Sequence, residues 1–258
     1  MAPKYLREKY KNDKRKAKAE YKKQLREVAL SHEIRMEEYY ITTGAPRPVN
    51  PPKRPILEEV GNAVTHGLGA VFALTAFILM LLAADTSGEY VSSVIYFSGM
   101  FVMFTSSCLY HAFRHGSAVK RLFRRFDYSS IYLLIGATFA PVLICYFGDA
   151  FGLSFIAVQW SVIALGIALI GVFGPSRLRY VHTPLYVILG WSALLLLPRM
   201  MSGNMPLAMW ILAGGVIYSI GIIPYLMNVR ASHFIWHFFV LGGAITQWIG
   251  IYLYLFKI

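Results

Sequence analysis

The chain has 258 residues, 57% of them hydrophobic, and a formal net charge of +12. That charge would suit a nucleic-acid partner, but none of the 25 Lys and Arg lies inside a hydrophobic run and 15 of them fall in residues 1–54. Segregation of this kind argues against a soluble nucleic-acid-binding domain and for a membrane protein with a basic tail.

Residues 1–42 are dense in Lys, Arg, Glu and Tyr and carry no Pro or Gly after Pro3. The composition predicts a solvated helix, with contact to an anionic inner leaflet as a second reading. Residues 43–55, which are rich in Pro, cannot be regular helix and read as an extended linker. Residues 1–55 therefore form a basic cytoplasmic tail and residues 56–258 a membrane domain.

A bilayer core of roughly 30 Å needs about 20 apolar residues per helix. Seven such runs are present, near 60–84, 91–113, 128–147, 151–173, 180–198, 206–227 and 233–256. Continuous apolar runs exclude the alternating strands of a barrel. The expected fold is an all-α integral membrane protein, a seven-helix multi-pass bundle of the plasma or inner membrane. The tail and the connections after runs 2, 4 and 6 carry 23 Lys and Arg against 2 on the other side, Arg199 and Lys257. The positive-inside rule then places the N-terminus in the cytoplasm and the C-terminus outside. Cys108 and Cys145 fall at opposite ends of their runs, too far apart to bridge.

Polar residues inside the runs carry the functional signal. Run 1 opens with Glu58, Asn62 and His66 at i, i+4 and i+8, along one helical face. Run 2 ends with Ser107 and His111, one turn apart. Run 3 begins at Asp127, an acidic residue at the opening of a hydrophobic span. Pro141 predicts a kink in run 3. His182 in run 5 has no partner at i±4 that could make a chelating pair and reads as a satisfied interfacial histidine. Run 7 opens with His233 and His237, one turn apart on one face, the spacing of a two-toothed chelate. Phe234 follows His233, so this is not the HExxH arrangement, and any proton acceptor must come from elsewhere.

Topology sets Glu58, Asn62, His66, Ser107, His111, Asp127, His233 and His237 at one depth, near the cytoplasmic face. Intramembrane ionisable groups are costly and usually mark function. His111, His233 and His237 with an open fourth position describe a catalytic zinc site. Asp127 would take a proton from water, Ser107 would donate to a developing oxyanion, and Glu58, Asn62 and His66 would orient the ligands. A hydrated vestibule with ordinary polar packing is the competing reading of the same residues.

The sequence resembles the haemolysin III branch of the progestin and adipoQ receptor family. The resemblance rests on Glu58-x3-Asn62-x3-His66, Ser107-x2-Tyr110-His111, Asp127 sixteen residues beyond that His, and His233-x3-His237. It covers roughly residues 56–258 and leaves out the tail. It implies a Zn2+ ion held by His111, His233 and His237, with Asp127 reaching it through water, and an activity toward lipid amides of the ceramide kind. The expected function is zinc-dependent hydrolysis of a lipid amide or ester, serving membrane-lipid homeostasis, with a membrane lipid as substrate. A non-enzymatic sensor with a zinc-stabilised bundle is the alternative. A pore is disfavoured because runs 4 and 6 offer almost no polar lining, and no run contains the Lys that a retinal Schiff base needs.

Overall fold

The computed structural model describes residues 4–43, 50–227 and 229–256. Every regular element among them is helical. The chain divides into two units, Met1–Val49 and Asn50–Ile258. The first contains one helix, α1 (Lys4–Thr43), 40 residues long. Without internal Pro or Gly nothing interrupts it, and at its end the Thr42 and Thr43 hydroxyls turn back onto the Glu38 and Tyr39 carbonyls. Of the expected linker, residues 44–49 lie outside the described residues, and residues 50–55 are non-helical.

The second unit contains α2 (Ile56–Ala83), α3 (Ser87–Ala112), α4 (Ala118–Pro141), α5 (Ala150–Phe173), α6 (Arg179–Trp191), α7 (Leu197–Gly203), α8 (Met205–Leu226) and α9 (Ser232–Ile251). Among the described residues, six elements are long and apolar enough to cross a membrane, and a bent pair makes a seventh if it is counted as one span. That pair is the expected fifth run, which is broken rather than continuous. Pro198 lacks the N–H that a continuing helix would use. The chain takes a tight turn over Ser192–Leu195 and restarts at Leu197 with a 42° bend. Pro141 acts in a similar way in α4, which widens into a π-helical turn over Val142–Phe147.

Helix ends follow their local sequences. Thr86 and Glu89 form a reciprocal capping box at α3, and Asp149 caps α5 by accepting from the Gly152 N–H. That amide and the Arg199 guanidinium hold the exposed Asp149 carboxyl below its ordinary pKa. Cys108 and Cys145 are free.

Neighbour relations give a closed ring, α2–α3–α4–α6–α8–α9 and back to α2, with α5 outside it against α4. Close approach within the ring depends on small residues. A Cβ on Gly99 of α3 would lie 2.8 Å from the Leu133 carbonyl oxygen of α4. The core between α2, α3, α4, α8 and α9 includes Ala73, Tyr96, Met100, Phe104 and Leu207, all fully buried. The ring matters for function because its members enclose a cavity that no α5 residue lines, although Phe155 and Ile156 of α5 pack against the core.

Candidate metal centre

The start of α2, the end of α3, and the starts of α4 and α9 meet at one end of the ring. Ala231, with φ of 64°, turns the chain into α9 and donates its N–H to Glu58 Oε2 at 3.3 Å. Glu58 also pairs with Arg54 at 3.5 Å. Glu58 thus anchors the entry to α9, and among the described residues its hydrogen bond and ion pair go to Ala231 and Arg54 rather than to a ligand histidine.

One turn of α9 then sets His233 beneath His237, and α3 brings His111 against both. His233 Nε2 lies 3.3 Å from His111 Nε2 and 3.3 Å from His237 Nε2. Ligand atoms from the three residues all lie within 4.8 Å of one another. His111 and His237 are fully buried and His233 is half-buried.

Hydrogen bonds fix which nitrogens are free. His111 Nδ1 lies 2.6 Å from Glu59 Oε2, and His237 Nδ1 lies 3.2 Å from the Asn62 carbonyl oxygen. A carboxylate and a carbonyl only accept, so both Nδ1 atoms carry the proton and both Nε2 lone pairs face inward. Four-coordinate zinc with Zn–N near 2.0–2.1 Å places its ligand nitrogens about 3.3 Å apart along a tetrahedral edge. The donor set, the spacing and the carboxylate–histidine contact all fit that ion.

Glu59 is the participant that sequence reasoning missed. Glu58 and Glu59 both share a helical face with Asn62 and His66, at i+4 and i+3 spacing, and periodicity cannot choose between adjacent carboxylates. Lys120 was missed as well, having been grouped with the charges of the 2–3 connection. Ser117 caps α4 and accepts from the Lys120 N–H, which turns Lys120 inward until only 1% of it is exposed. Its Nζ donates to Glu59 Oε1 at 3.0 Å and stands 4.8 Å over the Tyr110 ring. A buried ammonium thus holds the carboxylate that orients His111. Replacing Glu59 by Gln removes the charge and strands Lys120. We expect Glu59→Gln to weaken metal binding about 10–100-fold, the range for outer partners of metal-bound histidines, measured by competition with a chromophoric chelator. Unchanged affinity would reduce Glu59 to a partner of Lys120 alone.

The remaining expected residues separate by role. The Asn62 side chain sits 3.3 Å from His111 Nδ1. His66 stacks on His237 at 3.7 Å with planes 15° apart, packs edge-on to Phe104, and hydrogen-bonds no ligand nitrogen. It supports the site by packing. The Ser107 side chain is within reach of the Asp127 carboxyl. Both line a cavity of about 190 Å³ together with His66, His233 and His237. The cavity continues past Thr138, Val142, Met200 and Gln247, and its wall is mostly apolar. Gln247 lies ten residues beyond His237 on α9, so the cavity runs about 15 Å into the bundle. His182 lies apart from the cluster, fully buried, with Nδ1 2.9 Å from the Tyr132 hydroxyl.

A ring of spanning helices, with three convergent imidazoles of which His233 and His237 line an apolar cavity, defines a multi-pass membrane protein with a metal-competent histidine centre. The chain belongs to the haemolysin-III related family, whose profile matches residues 55–248. It is 34% identical to Hemolysin-3 of Bacillus cereus, over 73% of this chain and 88% of that protein. It is 30% identical to the Hemolysin-3 homolog of Bacillus subtilis, over 79% of this chain and 97% of that protein. A more distant similarity, 25% identity over 78% of this chain and 85% of the relative, links it to the human monocyte to macrophage differentiation factor.

Proposed function

We propose that this protein is a zinc-dependent membrane hydrolase that cleaves an amide or ester bond in a lipid. The observation that carries the reading is the convergence of three imidazoles, two of which, His233 and His237, line one apolar cavity with Asp127 and Ser107. His111, His233 and His237 would hold the zinc. When bound it would lower the pKa of water to about 7 and so supply hydroxide at neutral pH.

The chain's own residues account for the other requirements. Asp127 holds the attacking water by hydrogen bonding and takes its proton as the new C–O bond forms. Ser107 turns its hydroxyl to the substrate's carbonyl oxygen and stabilises the charge developing there. The carbon–nitrogen or carbon–oxygen bond then breaks, and Asp127 returns the proton to the departing amine or alcohol. The cavity receives the acyl chain and keeps bulk water from the acid product until it leaves.

Three protein ligands with a fourth position free favour catalysis over a structural zinc, which usually has four protein ligands. The apolar wall beyond Asp127 gives no support to a conducting path, which needs polar lining throughout. Purified protein loaded with zinc should release fatty acid from amide- or ester-linked lipids, lose that activity to a chelator, and regain it with zinc. Bound metal without release from either lipid class would leave the sensor reading standing.

In the orientation expected from the distribution of Lys and Arg, water and product would exchange at the histidine end on the cytoplasmic side. We expect a reporter fused before Met1 to be cytoplasmic and one fused after Ile258 to be extracytoplasmic. Both reporters on one side would break the common depth of the site residues.

A further inference from the structure

Helix α1 does not distribute its charge evenly. Residues 4–26 carry 11 Lys and Arg against 3 acidic residues, whereas residues 27–43 carry 1 against 4. The basic part is also sorted around its circumference. At the helical repeat of 3.6 residues, Leu6, Tyr10, Ala17, Tyr21 and Leu25 fall in one stripe. Arg7, Lys11, Lys14, Lys18 and Lys22 form a band along one flank of it. Leu6, Arg7, Tyr10, Lys11 and Lys14 line one shallow groove on the helix surface. None of the acidic residues in 4–26 falls in the sector of about 160° that holds the stripe and the band. Asp13, Glu20 and Glu27 recur every seven residues beyond the far edge of the stripe, each four residues after a lysine, Lys9, Lys16 and Lys23. That spacing suits i,i+4 pairing, which neutralises the acids away from the basic band.

Leu6, Tyr10, Tyr21 and Leu25 are all exposed. Tyrosines beside a lysine band suit the boundary between lipid headgroups and acyl chains, where an aromatic ring and a snorkelling ammonium each find their preferred surroundings. The membrane unit begins at Asn50, which accepts from the Arg121 guanidinium at 3.2 Å, so the chain enters the bundle at its basic end. The polyanion always within reach of a tail joined there is the surface of the bilayer itself.

We propose that the face of α1 formed by Leu6, Tyr10 and Tyr21 with Arg7, Lys11, Lys14, Lys18 and Lys22 docks on anionic lipid headgroups. The helix lies along the surface rather than inserting, because its apolar stripe is narrow and interrupted. The acidic stretch after residue 26 is repelled by the same surface and stands off from it. The docking is electrostatic and weakens with salt.

Hydrogen exchange of the full chain in nanodiscs tests this. Backbone amides of residues 4–26 should exchange about tenfold more slowly in discs containing phosphatidylglycerol than in pure phosphatidylcholine, and high salt should remove the difference. The triple variant Lys11→Glu, Lys14→Glu, Lys18→Glu should lose the protection. The triple variant Lys9→Glu, Lys16→Glu, Lys23→Glu, with the same change in net charge, should keep most of it. Equal exchange in the two lipids would overturn the proposal. So would equal loss in the two triple variants, which would mean charge count without a face. Protection in pure phosphatidylcholine that rises with the number of chains per disc would assign the face to a second copy instead.

Discussion

Purified His233→Ala and His237→Ala proteins are expected to lose zinc, with a fall in affinity at least as large as the roughly 10–100-fold known for loss of an outer partner alone. Each substitution leaves two imidazoles where three Nε2 atoms converge. Outer partners cannot replace them, because Glu59 and the Asn62 carbonyl are already engaged by Nδ1 protons. His182→Ala should keep its zinc, since its Nδ1 is committed to Tyr132 in a different part of the bundle. It should instead lower thermal stability by about 1–3 kcal/mol, the cost of stranding a buried hydrogen-bond partner. Element analysis of the three purified variants, with melting curves alongside, separates these outcomes. Zinc loss in His182→Ala at unchanged stability would contradict the ligand assignment. Acid offers a second check, and its direction is fixed by the chemistry. The ligands bind metal only as neutral imidazoles, so lowering the pH must release zinc and raising it must restore binding.

Much of this arrangement is legible in the sequence, for definite reasons. Long apolar runs count helices because a bilayer sets their length, and the i,i+4 pair His233 and His237 needs only one helix to be read. His111 and Asp127 were legible through topology, since alternate helix ends share a face of the membrane. What stayed hidden depends on side-chain direction or on packing between distant segments. Glu58 and Glu59 look alike along the chain, yet one bonds Ala231 and the other His111. Lys120 reads as one more cation of a basic connection, and only the start of α4 at Ala118 turns it inward. The bend before Pro198 has a local cause, but an unbroken apolar run masks it. The ring that closes α9 onto α2 and leaves α5 outside has no signature in periodicity at all, because the apolar faces of these helices meet lipid and protein alike.

Asp127→Asn should separate catalysis from scaffolding. Asn keeps the volume of Asp and much of its hydrogen bonding, so Ser107 retains a partner. Asp127 stands outside the three-histidine group, so zinc content should stay at the wild-type level. The substitution removes the one property the proposed mechanism asks of this side chain, the capacity to take a proton from water and return it to the leaving group. Turnover should therefore fall by about 10²–10⁴-fold, the range for loss of a general base. Loss of proton transfer alone lowers kcat while KM changes little, because in the proposed mechanism the acyl chain would lie further along the cavity, which Thr138, Val142 and Met200 line. A rise in KM at constant kcat would mean that Asp127 binds substrate and another group moves the proton. Ser107→Ala supplies the comparison. It removes an oxyanion donor and leaves the base, so its deficit should be smaller than that of Asp127→Asn. If Asp127→Asn retained both its zinc and full turnover, proton transfer through this carboxylate would be excluded, and the histidine centre would have to act without it.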